Sequence, residues 1–143
     1  MVSESDFHVA RAGLNPAPCA FEKAVLARCV DCPAAERHLL AERETVGCGD
    51  PAAQSACVAV RQAMLTHFAF VLKLPHPDGP VPHAKLLKAQ CGGLQGLSAE
   101  LAGSGQVPDV RQLVGATLPR YGSVDALPYA AILSHVIRFD PRA

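Results

Sequence analysis

The chain has 143 residues, with 13 Lys and Arg against 13 Asp and Glu, and half of it is hydrophobic although only 5% is aromatic. That length suits one compact domain burying roughly 70% of its unfolded surface, and the low charge excludes an intrinsically disordered chain. Charge is also balanced along the chain: residues 1–74 carry seven basic and eight acidic side chains, residues 75–143 six and five, which removes the electrostatic case for a nucleic-acid partner.

The opening run MVSESDFHVARAG has acidic residues and neither a basic leader nor an apolar core, so it does not read as a secretory signal. The longest apolar stretch, 63–74, is broken by Thr66, His67 and Lys73 and is too short and polar to span a bilayer. These features predict a cytoplasmic protein without a membrane partner, whose thiols stay reduced.

Residues 1–15 read as irregular. A first helix is expected from Pro16 to about residue 29, with Phe21, Val25, Leu26 and Cys29 on one side. A second is expected over 32–47: Asp31 caps it, Pro33 lies near its first turn, Leu39 and Leu40 face inward and Gly47 ends it. Asp50-Pro51 is the clearest start signal in the chain and opens a third helix over 51–74, with Val60, Met64, Phe68 and Val71 on a common stripe. Residues 75–82, PHPDGPVP, form a proline-rich loop. Beyond it come a short helix from His83 that stops at Gly92-Gly93, a flexible stretch at 102–106, and helices over 108–121 and from Leu127 or Pro128 to 139. With no sustained strand alternation and no internal repeat, the predicted fold is all-α: five or six short helices around a site, with a Cys-rich region (1–74) and a second helical region (83–143) joined by the proline loop into one compact domain.

The chemistry concentrates in the cysteines. Cys29, Cys32, Cys48 and Cys57 are spaced C-x2-C-x15-C-x8-C. A C-x2-C pair can place two sulfurs on one centre, Gly47 and Gly49 let the backbone around Cys48 approach a bulky ligand, and Cys57 lies about two turns into the third helix. Cys32 and Cys48 are expected at helix N-termini, where free N–H groups and partial positive charge favour thiolate. The pattern suits a [4Fe-4S] cluster held by four cysteines. Three other readings stay open: buried cysteines that bind nothing; structural zinc, although the second pair lacks a short knuckle and no His has knuckle spacing; and a redox dithiol of Cys29 and Cys32 without the usual βαβ context. Cys91, before Gly92 and Gly93, reads as a buried residue at a helix end or as a fifth thiol near the cluster, and Cys19 is the other spare ligand.

Residues 29–73 resemble the small iron–sulfur domain at the N-terminus of the leucine-rich repeat variant protein of nitrogen-fixing bacteria. The resemblance covers about a third of the chain. It implies that Cys29, Cys32, Cys48 and Cys57 are ligands to a [4Fe-4S] cluster and that the partner is a redox protein, nitrogenase-related. No helical repeats follow, so the second half departs from that family.

Other polar groups read as structural. His67 is expected to be packed on the third helix, His38 faces solvent, and His76, Asp78 and His83 flank or occupy the proline loop. Glu36, Glu42 and Glu44 are expected to line an exposed helix beside Arg37 and Arg43. No nucleophile–base set stands out, so the chain reads as a non-enzymatic electron-transfer or accessory protein. The alternatives are a structural zinc adaptor and a cluster-sensing regulator. The last would have to bind DNA with Arg111, Arg120, Arg138 and Arg142, a thin set for phosphate contacts.

Overall fold

The computed structural model describes residues 17–142; the irregular segment expected at 1–15, and Pro16, lie outside them. Helix α1 is Glu22–Leu26, shorter than expected. The main departure follows directly. Residues 32–47 do not form a helix. They form an antiparallel hairpin of β1 (Ala35–Leu40) and β2 (Arg43–Cys48), paired from Ala35↔Cys48 to Leu40↔Arg43. The fold is therefore mixed, helices plus a two-stranded sheet, and not all-α.

Tertiary pairing explains why the hairpin wins. The segment before α1 also lies against β2: Cys19 N donates to Val46 O at 2.9 Å, Cys48 N donates to Ala17 O at 2.7 Å, and Pro18 bridges Gly47. The buried Glu22 carboxylate accepts from Val46 N at 2.8 Å. Thr45 and Val46 are β-branched, fit a pleated surface, and are buried at 3% and 0% exposure. The two-residue turn needs a positive φ at Ala41 (55°), a position where sequence advertises nothing because Ala is not a usual turn residue. Leu39, expected inside, is 77% exposed. Across the hairpin Arg37 pairs with Glu44 at 3.4 Å, so these charges sit on strands and not on a helix face.

Helix α2 spans Pro51–Leu72 as expected, with the Asp50 side chain accepting from Ala53 N. The expectation that no segment is long and apolar enough for a bilayer considered only 63–74; taken whole, this helix is long and apolar enough by length and composition. Here it is the core helix: Val60, Met64 and Phe68 are at most 1% exposed, while the stripe drifts so that Leu72, and not Val71, continues the buried face. After the proline-rich loop, helix α3 (His83–Leu87) runs through a π-turn at Lys88–Gly92 directly into α4 (Gly93–Ala102). The expected stop at Gly92-Gly93 is a correction. Both glycines are helical and serve close packing, since a Cβ at Gly92 would lie 2.7 Å from Val136 Cα and one at Gly93 would lie 2.9 Å from Met64 Sδ. The remaining elements are α5 (Val110–Gly115), α6 (Thr117–Tyr121), a 3-10 turn at Val124–Ala126, and α7 (Tyr129–Arg138). Ile132 and Val136 of α7 pack fully buried with Leu94 and Leu97 of α4.

A disulfide joins Cys29 to Cys91, 62 residues apart, where six reduced thiols were expected. In the chain-entropy model a crosslink of that separation stabilises by about 4 kcal/mol. Gln90 adds a polar tie between the same regions, accepting from Ala24 N at 3.1 Å and donating to Ala20 O at 3.4 Å.

The packing makes one contrast testable. Gly92→Ala should destabilise by about 1–3 kcal/mol, since backbone must move. Gly115→Ala, whose Cβ would meet nothing within 4 Å, should stay within about 1 kcal/mol of the parent. Urea denaturation of the two variants measures both.

Candidate metal centre

Four cysteines are free: Cys19, Cys32, Cys48 and Cys57. All four line one small apolar cavity together with Ala53, Val110 and other small side chains. The chain reaches it from four directions. Cys19 precedes α1 and is held against β2 by its N–H bond to Val46 O. Cys32 sits in the turn before β1, where its N–H donates to the Asp31 carboxylate at 2.8 Å. Cys48 ends β2, cross-strand from Ala35, and its Sγ lies 3.2 Å from Asp50 O. Cys57 projects from α2 and is buried.

This set differs from the expected one at a single place. Cys29 is committed to Cys91, and Cys19, foreseen only as a spare, takes its position beside the other three. The C-x2-C spacing is misleading because α1 ends just before Cys29. Cys29 N donates to Ala24 O in the last helical turn, whereas Cys32 lies beyond the buried Val30 and beside α5, 4.0 Å from Asp109 Oδ1. Cys32 is not at a helix start either; it leads into a strand. Cys48 does stand just before α2, as expected.

The walls are tied across the fold. Asp31 N donates to Val107 O, Val110 N donates back to Asp31 O, and Gln54 Nε2 donates to Pro18 O at 3.3 Å. Asp109 caps α5 by accepting from Gln112 N. Arg111 also lines the cavity and pairs with the Asp50 carboxylate at 3.5 Å. Sequence reasoning gave Arg111 only as a candidate phosphate contact and passed over Asp109 and Gln54; their partners at the site, Asp50, Cys32 and Pro18, are met only in the fold.

Burial dominates the electrostatics. It pushes the Cys19 thiol up to about 11 and the Cys57 thiol up to about 12, and the neighbouring cysteines add to both shifts. The free space between the lining groups is about 20 Å3, room for one water-sized group. Among the described residues, no three His, Cys, Asp or Glu side chains are grouped closely enough to hold a single metal ion. Away from the cavity, His67 stacks on the Tyr129 ring at 3.8 Å and meets Asp125 at 3.5 Å, and Asp78 accepts from Gln62. No protein-family model, curated protein or solved structure matches the chain.

The raised thiols fix the sign of a pH effect. They stay neutral in the folded state but ionise in the unfolded chain from about 9. Their contribution to stability is therefore complete below pH 9 and lost as pH climbs toward 11–12. Thermal midpoints of metal-free protein should fall across that interval, and Cys57→Ala should show a shallower fall than the parent.

Proposed function

We propose that the chain binds a [4Fe-4S] cluster through Cys19, Cys32, Cys48 and Cys57 and serves as a small electron-transfer or accessory protein of a redox system. The observation that carries this reading is the convergence of all four free thiols on one apolar cavity. The donor set fits: soft thiolates without carboxylate or imidazole among the lining groups select iron–sulfur clusters or zinc. We take the cluster over zinc on the cysteine pattern, which lacks the second short knuckle of a zinc site.

When bound, such a cluster supplies a one-electron couple. The chain's own part is to hold and shield it. Cys57 would anchor from the core helix, Cys48 from the paired end of β2 and Cys32 from the segment between α1 and β1; the space now between them, about 20 Å3, is smaller than a four-iron core, so loading has to spread these walls. Buried Cys19 and Cys57 give up protons on ligation, so loading is favoured by rising pH. Arg111 places a cation beside a core of net negative charge. With every thiol of the cavity engaged, no open coordination position remains for substrate, and we assign no catalytic role. The resemblance of residues 29–73 suggests a redox partner, nitrogen-fixation-associated, although it names Cys29 as a ligand and the disulfide takes Cys29 away from the other three.

Protein produced without oxygen should contain iron and sulfide and absorb broadly near ~400 nm. Cys19→Ala, Cys32→Ala, Cys48→Ala and Cys57→Ala should each lose most of that colour, while the double change Cys29→Ala with Cys91→Ala keeps it. Colour retained in Cys48→Ala, or lost in the double variant alone, overturns the ligand set. A colourless protein carrying stoichiometric zinc replaces the reading with a structural zinc adaptor.

A further inference from the structure

The disulfide lies apart from the thiol cavity and opens onto a different space. Cys29 is half-buried and lines a pocket of about 440 Å3 walled by Gln95, His135, Arg138 and Asp140. That volume is in the range of small-molecule sites. Cys91 is 0% exposed. The two sulfurs therefore differ: an incoming nucleophile meets Cys29, and Cys91 is the leaving group.

We propose that Cys29–Cys91 is a thiol-exchange site for a small carboxylate-bearing thiol of about tripeptide size. Three observations carry this independently of any metal at the other cavity. First, the pocket holds an available cation. Arg138 uses Nε on Ser134 O at 3.1 Å and pairs with no described carboxylate, whereas Asp140 is occupied by Arg142, through its backbone N–H at 2.9 Å and its guanidinium at 3.6 Å. A guanidinium with free N–H donors suits a carboxylate. Second, the fold provides for the reduced state. Cys29 Sγ lies 3.4 Å from Ala24 O, an acceptor ready for its thiol proton. Third, Cys91 sits in a π-turn, a local irregularity common at functional sites. That turn is bound to the pocket wall, because Lys88 Nζ donates to Ile137 O and Phe139 O at 3.0 Å.

The exchange balances in two steps. The incoming thiolate attacks Cys29 Sγ, forming a mixed disulfide and releasing Cys91 thiolate, which takes a proton from water. A second thiolate attacks the sulfur of the bound molecule, so that two small thiols leave as their disulfide, and Cys29 leaves as thiolate and takes its proton from water. The protein gains two electrons and two protons, and the covalent link between the Cys-rich region and the α3–α4 region opens.

Glutathione and its diester are suitable probes on the intact, metal-free chain with the disulfide closed. Acid-trapped intermediates are mapped by peptide mass spectrometry. The expected adduct is on Cys29, formed about tenfold faster by glutathione than by the diester at equal thiolate concentration, as one charge-assisted contact provides. Arg138→Gln should bring that ratio close to one without changing the diester rate. The proposal is overturned by equal rates for acid and ester in the parent, by an adduct on Cys19, Cys32, Cys48 or Cys57 in place of Cys29, or by a disulfide that opens only when the chain is unfolded. Since iron content is not read, loss of the cluster proposal leaves this result unaffected.

Discussion

The backbone of β2 is the constraint from which the rest follows. Its Val46 carbonyl accepts from Cys19 N, its Val46 N–H donates to the Glu22 carboxylate, and its end residue Cys48 donates to Ala17 while pairing across to Ala35. A strand saturated on both sides leaves no cheap alternative, because each unpaired buried amide or carbonyl costs on the order of 1–3 kcal/mol. Saturating it draws the chain from three separate stretches to one point. Cys19, Cys32 and Cys48 are neighbours because they flank the same few rungs, and Cys57 joins them because α2 begins immediately after the strand. The cavity is thus a by-product of sheet closure, not of helix packing.

This explains which parts of the structure were legible. The start of α2 could be read because Asp50 and Pro51 act locally, one as acceptor for Ala53 N and the other with a preset φ. The end of α6 at Gly122 could be read for the same reason, a left-handed φ of 88° that glycine tolerates. The hairpin could not. Residues 35–44 contain Ala, Glu, Arg and Leu, which favour helix in isolation, and the partners that overrule them, residues 17–19 and Glu22, are more than a dozen positions away. Glycines at 92 and 93 misled for a related reason. Their value lies in what approaches them, α7 and α2, and a single sequence does not display an approach.

The site was legible by composition and illegible by assignment. Of the four cysteines expected to act together, Cys32, Cys48 and Cys57 share the cavity with Cys19, while Cys29 is bonded to Cys91, because spacing was given the weight that direction deserves. A C-x2-C pair converges when both residues share one turn. Here α1 ends at Leu26, before either cysteine, and the chain runs from Cys29 past the buried Val30, so the first sulfur is delivered to Cys91 in the π-turn and the second toward α5.

That divergence separates two kinds of sulfur chemistry within three residues. On the α5 side, thiols face an apolar, nearly filled cavity in which burial keeps two of them protonated far above neutral pH; such groups are poor nucleophiles and serve as ligands only when a metal displaces the proton. On the α4 side, the oxidised pair stands at a solvent-accessible pocket with a cation in its wall. The segment 29–32 is common to both. Hydrogen bonds of Asp31 to Val107 and Val110 hold its far end to α5, and the disulfide holds its near end to the π-turn. Opening the disulfide removes one of these anchors and leaves the other, while Gln90 still ties the π-turn to Ala20 and Ala24 beside Cys19, so the two sites stay joined by two routes.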